Sequence, residues 1–264
     1  MVVRCRRLAC VVIHLRAPRG FGDALYLRAV ALHLIERGEA LTVYTLWPDA
    51  FLGLPVATLH DDARSACNGA MRHVAYGMPR ANPQRISNFS AACRCAGIDE
   101  SVALRLDWLP RDAALIERVR CAAAGRPVLI YQPPKRPGNA EQALVRPSRE
   151  AFAGYLESRA DHFRVRVGRT PYVDAGEGLP CDLDLVDRTS VAGALDVGLV
   201  GDLFFGEPCF VPFLGEALGR RYAVMFTRRA LNCPDAIGGG RVRNITPERL
   251  FHKPELASAV YDES

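Results

Sequence analysis

Three stretches of the sequence carry residue types whose spacing could do chemistry. In Arg16-Ala-Pro-Arg-Gly-Phe-Gly-Asp23 two glycines let a backbone turn tightly and approach a ligand. A helix starting there offers free N–H groups and the positive end of its dipole, so Gly22 stands where a phosphate could be met. Asp23 has two readings. As a helix N-cap it satisfies a backbone donor; as a carboxylate in a cleft it takes the proton of an attacking hydroxyl. Spacing alone favours the cap. In Gln132-Pro-Pro-Lys135-Arg136-Pro-Gly138 two cations follow a strand-like run, a place to hold a diphosphate and stabilise charge on a leaving group. A solvated basic turn accounts for them equally, and Arg146 is a further candidate. The third stretch runs from Gly201 to Phe226. Its Glu216 reads either as an acid that hydrogen-bonds a ribose or as a surface helical glutamate.

Other chemistries lack their signatures. The six histidines show no H-x-x-x-H or H-E-x-x-H spacing, so neither a metal hydrolase nor a bound metal is expected. Nine scattered cysteines without paired C-x-x-C elements read as reduced thiols, not a zinc site or a disulfide framework. Serines outside a G-x-S-x-G elbow argue against an α/β-hydrolase. Trp108 reads as a packing residue, as does Trp47, although Trp47 ends a strand and could line an acceptor. A net charge of +5 suits an anionic substrate but is too dilute for a nucleic-acid stripe. With 49% hydrophobic and 24% charged residues the 264-residue chain belongs to the globular class, and the apolar run Leu8–Leu15 is too short to span a bilayer. A cytoplasmic protein without a transmembrane segment is expected.

The elements that must position these residues alternate. Leu8 to Leu15 reads as a strand covered on both faces, Ala24 to Arg37 as a helix stopped by Gly38, and Leu41 to Leu46 as a second strand. Val56 to Leu59 follows as a short strand, and Arg85 to Gly97 as a helix. Pro110 to Ala124 reads as a boundary helix, after which the pattern restarts with Val128 to Tyr131. Ser148 to Arg159 (helix), Phe163 to Val167 (strand), Leu183 to Val186, a helix around Ser190 to Ala194, a strand at Val197 to Val200, Phe210 to Leu218 (helix) and Tyr222 to Phe226 continue it. A helix start at Thr246-Pro247 predicts a C-terminal helix able to pack back on the first half. The expected fold class is α/β: two Rossmann-like halves facing across a cleft, residues 1–122 on the acceptor side and 123–264 on the nucleotide-sugar side.

The strand, the loop ending at Asp23 and the helix Ala24-Leu-Tyr-Leu-Arg-Ala-Val-Ala-Leu-His-Leu34 resemble the opening of heptosyltransferase-like glycosyltransferases of family 9. The stretch from Gly201 through Ala217-Leu-Gly219 to Phe226 resembles that family's donor-binding part. The resemblance implies a compact GT-B arrangement and inverting, metal-independent transfer of a sugar from a nucleoside-diphosphate sugar. Asp23 would be the base; Gly22, Lys135, Arg136 and Glu216 would serve the donor, and Arg16 and Trp47 the acceptor side. No cofactor beyond the donor is implied. The acidic-Ser/Thr-Gly and downstream His of the family are replaced here near Pro208-Cys209-Phe210 and Phe213, which leaves the donor open. The acceptor is equally open among a glycan or lipopolysaccharide core, a small metabolite and a modified DNA base. Two other readings stand beside this one. One is a non-catalytic nucleotide-fold binding protein; the other, a nicotinamide-dependent oxidoreductase, lacks both G-x-G-x-x-G and an acid closing the second strand.

Overall fold

The computed structural model describes residues 12–16, 20–60, 71–73, 87–134, 147–170, 178–227 and 251–262. Lys135, Arg136, Arg146 and the helix start at Thr246 lie outside them.

The first half is a four-stranded parallel sheet in the order β3-β2-β1-β4, built from β1 (Val12–Arg16), β2 (Ala40–Thr45), β3 (Ala57–His60) and β4 (Met71–His73). The β1 register runs from Val12 opposite Ala40 to Arg16 opposite Tyr44, with Arg16 opposite His73 on the other side. The sequence between Asp61 and Gly97 predicts no strand; β4 is only three residues long, too short to carry a readable alternation.

Helix α1 (Phe21–Glu36) links β1 to β2 and is buried almost all round. A helix apolar on every side must be covered on every side, and this one lies between its own sheet and the second half. Arg28 is therefore enclosed within it. Its guanidinium donates to the carbonyls of Leu106 (2.7 Å), Ala50 (2.9 Å), Leu52 and Asp107 and lies 5.1 Å from the Trp108 ring centroid. Burial lowers its pKa to about 10, and four carbonyl partners offset the cost of enclosing the charge. Helix α2 (Asn88–Ala96) begins where the Ser87 hydroxyl accepts the Ser90 N–H and ends on Gly97 at φ 69°, a left-handed stop suited to glycine.

Helix α3 (Ala113–Ala123), capped by Asp112, leads into the second half. There six parallel strands take the order β10-β9-β8-β5-β6-β7: β5 (Val128–Tyr131), β6 (Phe163–Arg166), β7 (Leu183–Asp184), β8 (Leu203–Gly206), β9 (Arg221–Thr227) and β10 (Ala257–Asp262). Helices α4 (Arg149–Glu157), α5 (Val191–Gly198) and α6 (Phe210–Ala217) connect them. Alternation decides what each face meets. Val128, Ile130, Phe204, Tyr222 and Val224 join a core that continues into the first half. Leu129, Tyr131, Phe205, Ala223 and Met225 meet Phe152 and Leu156 of α4 on the far face. Val197 to Val200, expected as a strand, closes α5 instead, and the strand begins at Leu203. After Phe251 the C-terminal residues form β10, a parallel edge strand beside β9.

Candidate functional site

In an open parallel sheet, ligands bind outside the carboxyl ends of the strands, where the strand order reverses direction. The first sheet reverses between β1 and β4, and the second between β5 and β8. The loop ending at Asp23 leaves β1; Gln132 leaves β5 beside Gly206-Glu207, which leaves β8. These two reversal points adjoin, because the first turns of α1 and α6 pack together. The Phe21 and Phe210 rings lie 4.9 Å apart, and Phe213 seals against Gly22.

At the first point, Asp23 is not the N-cap. Gly20 holds that place, and Asp23 at the third helical position reaches back to accept the Gly20 N–H at 3.1 Å. The half-buried carboxylate thus sits at the positive end of α1, where negative charge is stabilised. Arg16 ends β1 half-buried, next to the start of this loop. Trp47, just past β2, donates its backbone N–H to Thr45 Oγ1 and places its ring 5.4 Å from that of Phe21. Asp23, Arg16 and Trp47 accordingly share one end of the first sheet.

The side-chain face of Gly22 is turned to α6. A Cβ on it would fall 2.8 Å from Phe213 Cε2, so its missing side chain is what lets α1 and α6 touch. Glu216 differs from both sequence readings. It is fully buried: Oε2 accepts the Tyr26 hydroxyl at 2.7 Å, and Oε1 accepts the backbone N–H groups of His252 and Lys253, the latter at 2.7 Å. Both oxygens are committed inside the protein, leaving nothing to meet a ribose. Burial pushes this carboxyl up to about 7 despite the three donors. Its partners belong to α1 and to the C-terminal segment, which reaches the first half again through His252 beside Phe89 and Lys253 Nζ on the Leu104 carbonyl.

At the second point stand Gln132 and Cys209, which the sequence places in its second and third stretches without a role, and Glu207, which sequence reasoning missed. All three are buried at the carboxyl ends of β5 and β8, and Gln132 Oε1 has no hydrogen-bond partner among the described residues. A buried amide oxygen left unpaired is costly, and a polar ligand would satisfy it. The signal was present in the sequence: a polar residue directly after each of two fully apolar strands. Among the described residues no group of three His, Cys, Asp or Glu side chains could hold a metal ion, and no helix is long and apolar enough to cross a membrane.

No protein-family profile and no curated protein matches the sequence. Solved structures do match. A family 9 glycosyl transferase from Veillonella parvula aligns over 96% of this chain and 86% of its own, with a TM-score of 0.60 at 10% identity. The ADP-heptose lipopolysaccharide heptosyltransferase II of E. coli aligns over 96% and 93%, with a TM-score of 0.56 at 13% identity. TibC, an iron-containing dodecameric glycosyltransferase from enterotoxigenic E. coli, aligns over 81% of this chain and 57% of its own, with a TM-score of 0.53 at 14% identity. The likeness establishes the fold: two parallel α/β units of the GT-B type.

Proposed function

We propose that the protein transfers a sugar from a nucleoside-diphosphate sugar to an acceptor hydroxyl, with inversion and without a metal ion. The observation that carries this reading is the meeting of the two strand-order reversals, with a carboxylate on one side and buried polar groups on the other. The acceptor lies on the first half near Arg16 and Trp47. Its hydroxyl proton passes to Asp23 as the oxygen attacks the anomeric carbon, and the bond from that carbon to the diphosphate oxygen breaks. The nucleoside diphosphate departs from the β5–β8 crevice, with Gln132 facing it and Lys135 and Arg136 neutralising the developing charge. The heptosyltransferase fold supports this assignment, and a soluble, cytoplasmic location fits a nucleotide-sugar donor.

Binding without turnover is the second reading, favoured by the departure from the family's donor motif at Pro208-Cys209-Phe210 and Phe213, which alters the start of α6. Its first turn, which would offer N–H groups to a diphosphate, carries Phe210 and Phe213 against Phe21, Gly22 and Tyr26. One pair of measurements separates the two. Thermal stability is followed against nucleoside diphosphates, and nucleoside-diphosphate release from the corresponding nucleotide sugars, for the wild type and Asp23→Asn. The transferase reading expects stabilisation of both proteins and at least a hundredfold loss of turnover in the variant. Stabilisation with no turnover in either, with glycan, lipopolysaccharide-core and small-metabolite hydroxyls each supplied as acceptor, selects the binding reading, and no response of the wild type to any nucleotide overturns both.

A further inference from the structure

Helices α3 and α5 lie side by side and enclose a groove of about 510 Å³, whose walls include Arg111, Arg118, Arg188, Thr189 and Ser190. The helices approach closely because α5 carries Gly193, where a Cβ would come 3.3 Å from Leu115 Cδ2.

The charge in this groove is unbalanced. Elsewhere Arg94, Arg105, Arg126, Arg164 and Arg166 each pair with a carboxylate. The guanidinium groups of Arg111, Arg118 and Arg188 make no ion pair within 4 Å among the described residues; Arg188 donates to the Asp184 carbonyl at 3.5 Å and feels the Asp184 carboxylate at longer range. The two acids of the groove are already engaged. Asp196 is fully buried in its floor and accepts Trp108 Nε1 at 2.6 Å together with the backbone N–H groups of Arg111 and Asp112. Asp112 accepts the Leu115 N–H at 2.8 Å. Arg111 is held in place, 5.8 Å from the Trp108 ring centroid. Ser190 Oγ accepts the Gly193 N–H at 3.0 Å, so its hydroxyl proton can still be donated outward.

We infer that this groove binds a small phosphate-bearing molecule. The guanidinium forks of Arg118 and Arg188, with the hydroxyl groups of Thr189 and Ser190, match the several acceptor oxygens of a phosphate or diphosphate, for which arginine offers paired donors in fixed geometry, while the Arg111 guanidinium lies against Gly53 and adds positive charge at the rim. The volume is that of a small-molecule site. The inference is independent of the transferase reading, since none of these residues belongs to the proposed reaction site.

The test is calorimetric titration with inorganic pyrophosphate of the wild type and of Arg118→Glu/Arg188→Glu. Both side chains are exposed, so the fold should survive. The expected result is saturable binding to the wild type that weakens at least tenfold in the variant, with hydrogen-exchange protection appearing around residues 188–193. Arg118→Gln/Arg188→Gln, which removes the charges without reversing them, repeats the comparison if charge reversal lowers stability. Absence of binding to the wild type at millimolar pyrophosphate, or binding of undiminished strength in the variants, overturns the inference.

Discussion

At the scale of single residues, a chemical type read from sequence says what a side chain can do, and burial decides what it does. Glu216 is the clearest case. On the sequence it is one acid in a helix; its role appears only when α1 and the C-terminal segment bring it Tyr26, His252 and Lys253, the last two 36 and 37 residues away. Because its pKa is raised from 4.5 to about 7, the native state holds a proton that the unfolded chain releases above the ordinary glutamate range. The stabilisation this carboxyl contributes is full below that range and is lost as pH rises towards 7, at a slope of at most about 1.4 kcal/mol per pH unit. Glu216→Gln keeps the shape: its carbonyl can accept the two backbone N–H groups while its amide donates to the Tyr26 oxygen. Denaturant titrations from pH 4.5 to 8 should therefore show a decline for the wild type that is shallower in Glu216→Gln, with the variant matching or exceeding the wild type at pH 8. Identical slopes would show that another group titrates. Asp23 was legible in type and place, although the helix starts two residues before it, so it acts through the Gly20 N–H as a third-position carboxylate.

At the scale of elements, the alternation of strand and helix could be read because parallel strands are continuous apolar runs and helix starts carry capping serines. Ser87, Ser148 and Ser190 each accept the N–H three residues on. The misreading at Val197 to Val200 has a physical source: a short apolar run fits a buried helix end as well as a strand. The contact of α1 with α6 could not be read, since nothing in the sequence pairs residues so far apart. It rests on Gly22 beneath Phe213. Gly22→Ala should lower stability by about 1–3 kcal/mol through overpacking. Adding Phe213→Leu, which withdraws the ring, should recover part of that loss, measured as a double-mutant cycle. Additive effects would mean that the two residues do not touch in solution.

At the scale of the whole molecule, two α/β units share one core. The cluster that holds Leu15, Leu25 and Val43 of the first half also holds Ile130, Phe204 and Leu214 of the second. Two polar pins reinforce it: Glu216 on the C-terminal segment and α1, and Asp196 of α5 on Trp108 and the backbone before α3. A continuous core predicts cooperative unfolding of both halves, so calorimetry should give one transition whose van't Hoff and calorimetric enthalpies agree. Asp196→Ala strands a buried indole N–H, where an unsatisfied donor costs about 1–3 kcal/mol, and frees two part-buried backbone N–H groups that water can reach in part. It should move the single transition downward by several degrees without splitting it, because the apolar contacts between α1 and α6 remain. If the variant instead shows two transitions, the halves are joined mainly through Asp196, and the aromatic contact between the two strand-order reversals is too weak to hold the proposed donor and acceptor sides in fixed register.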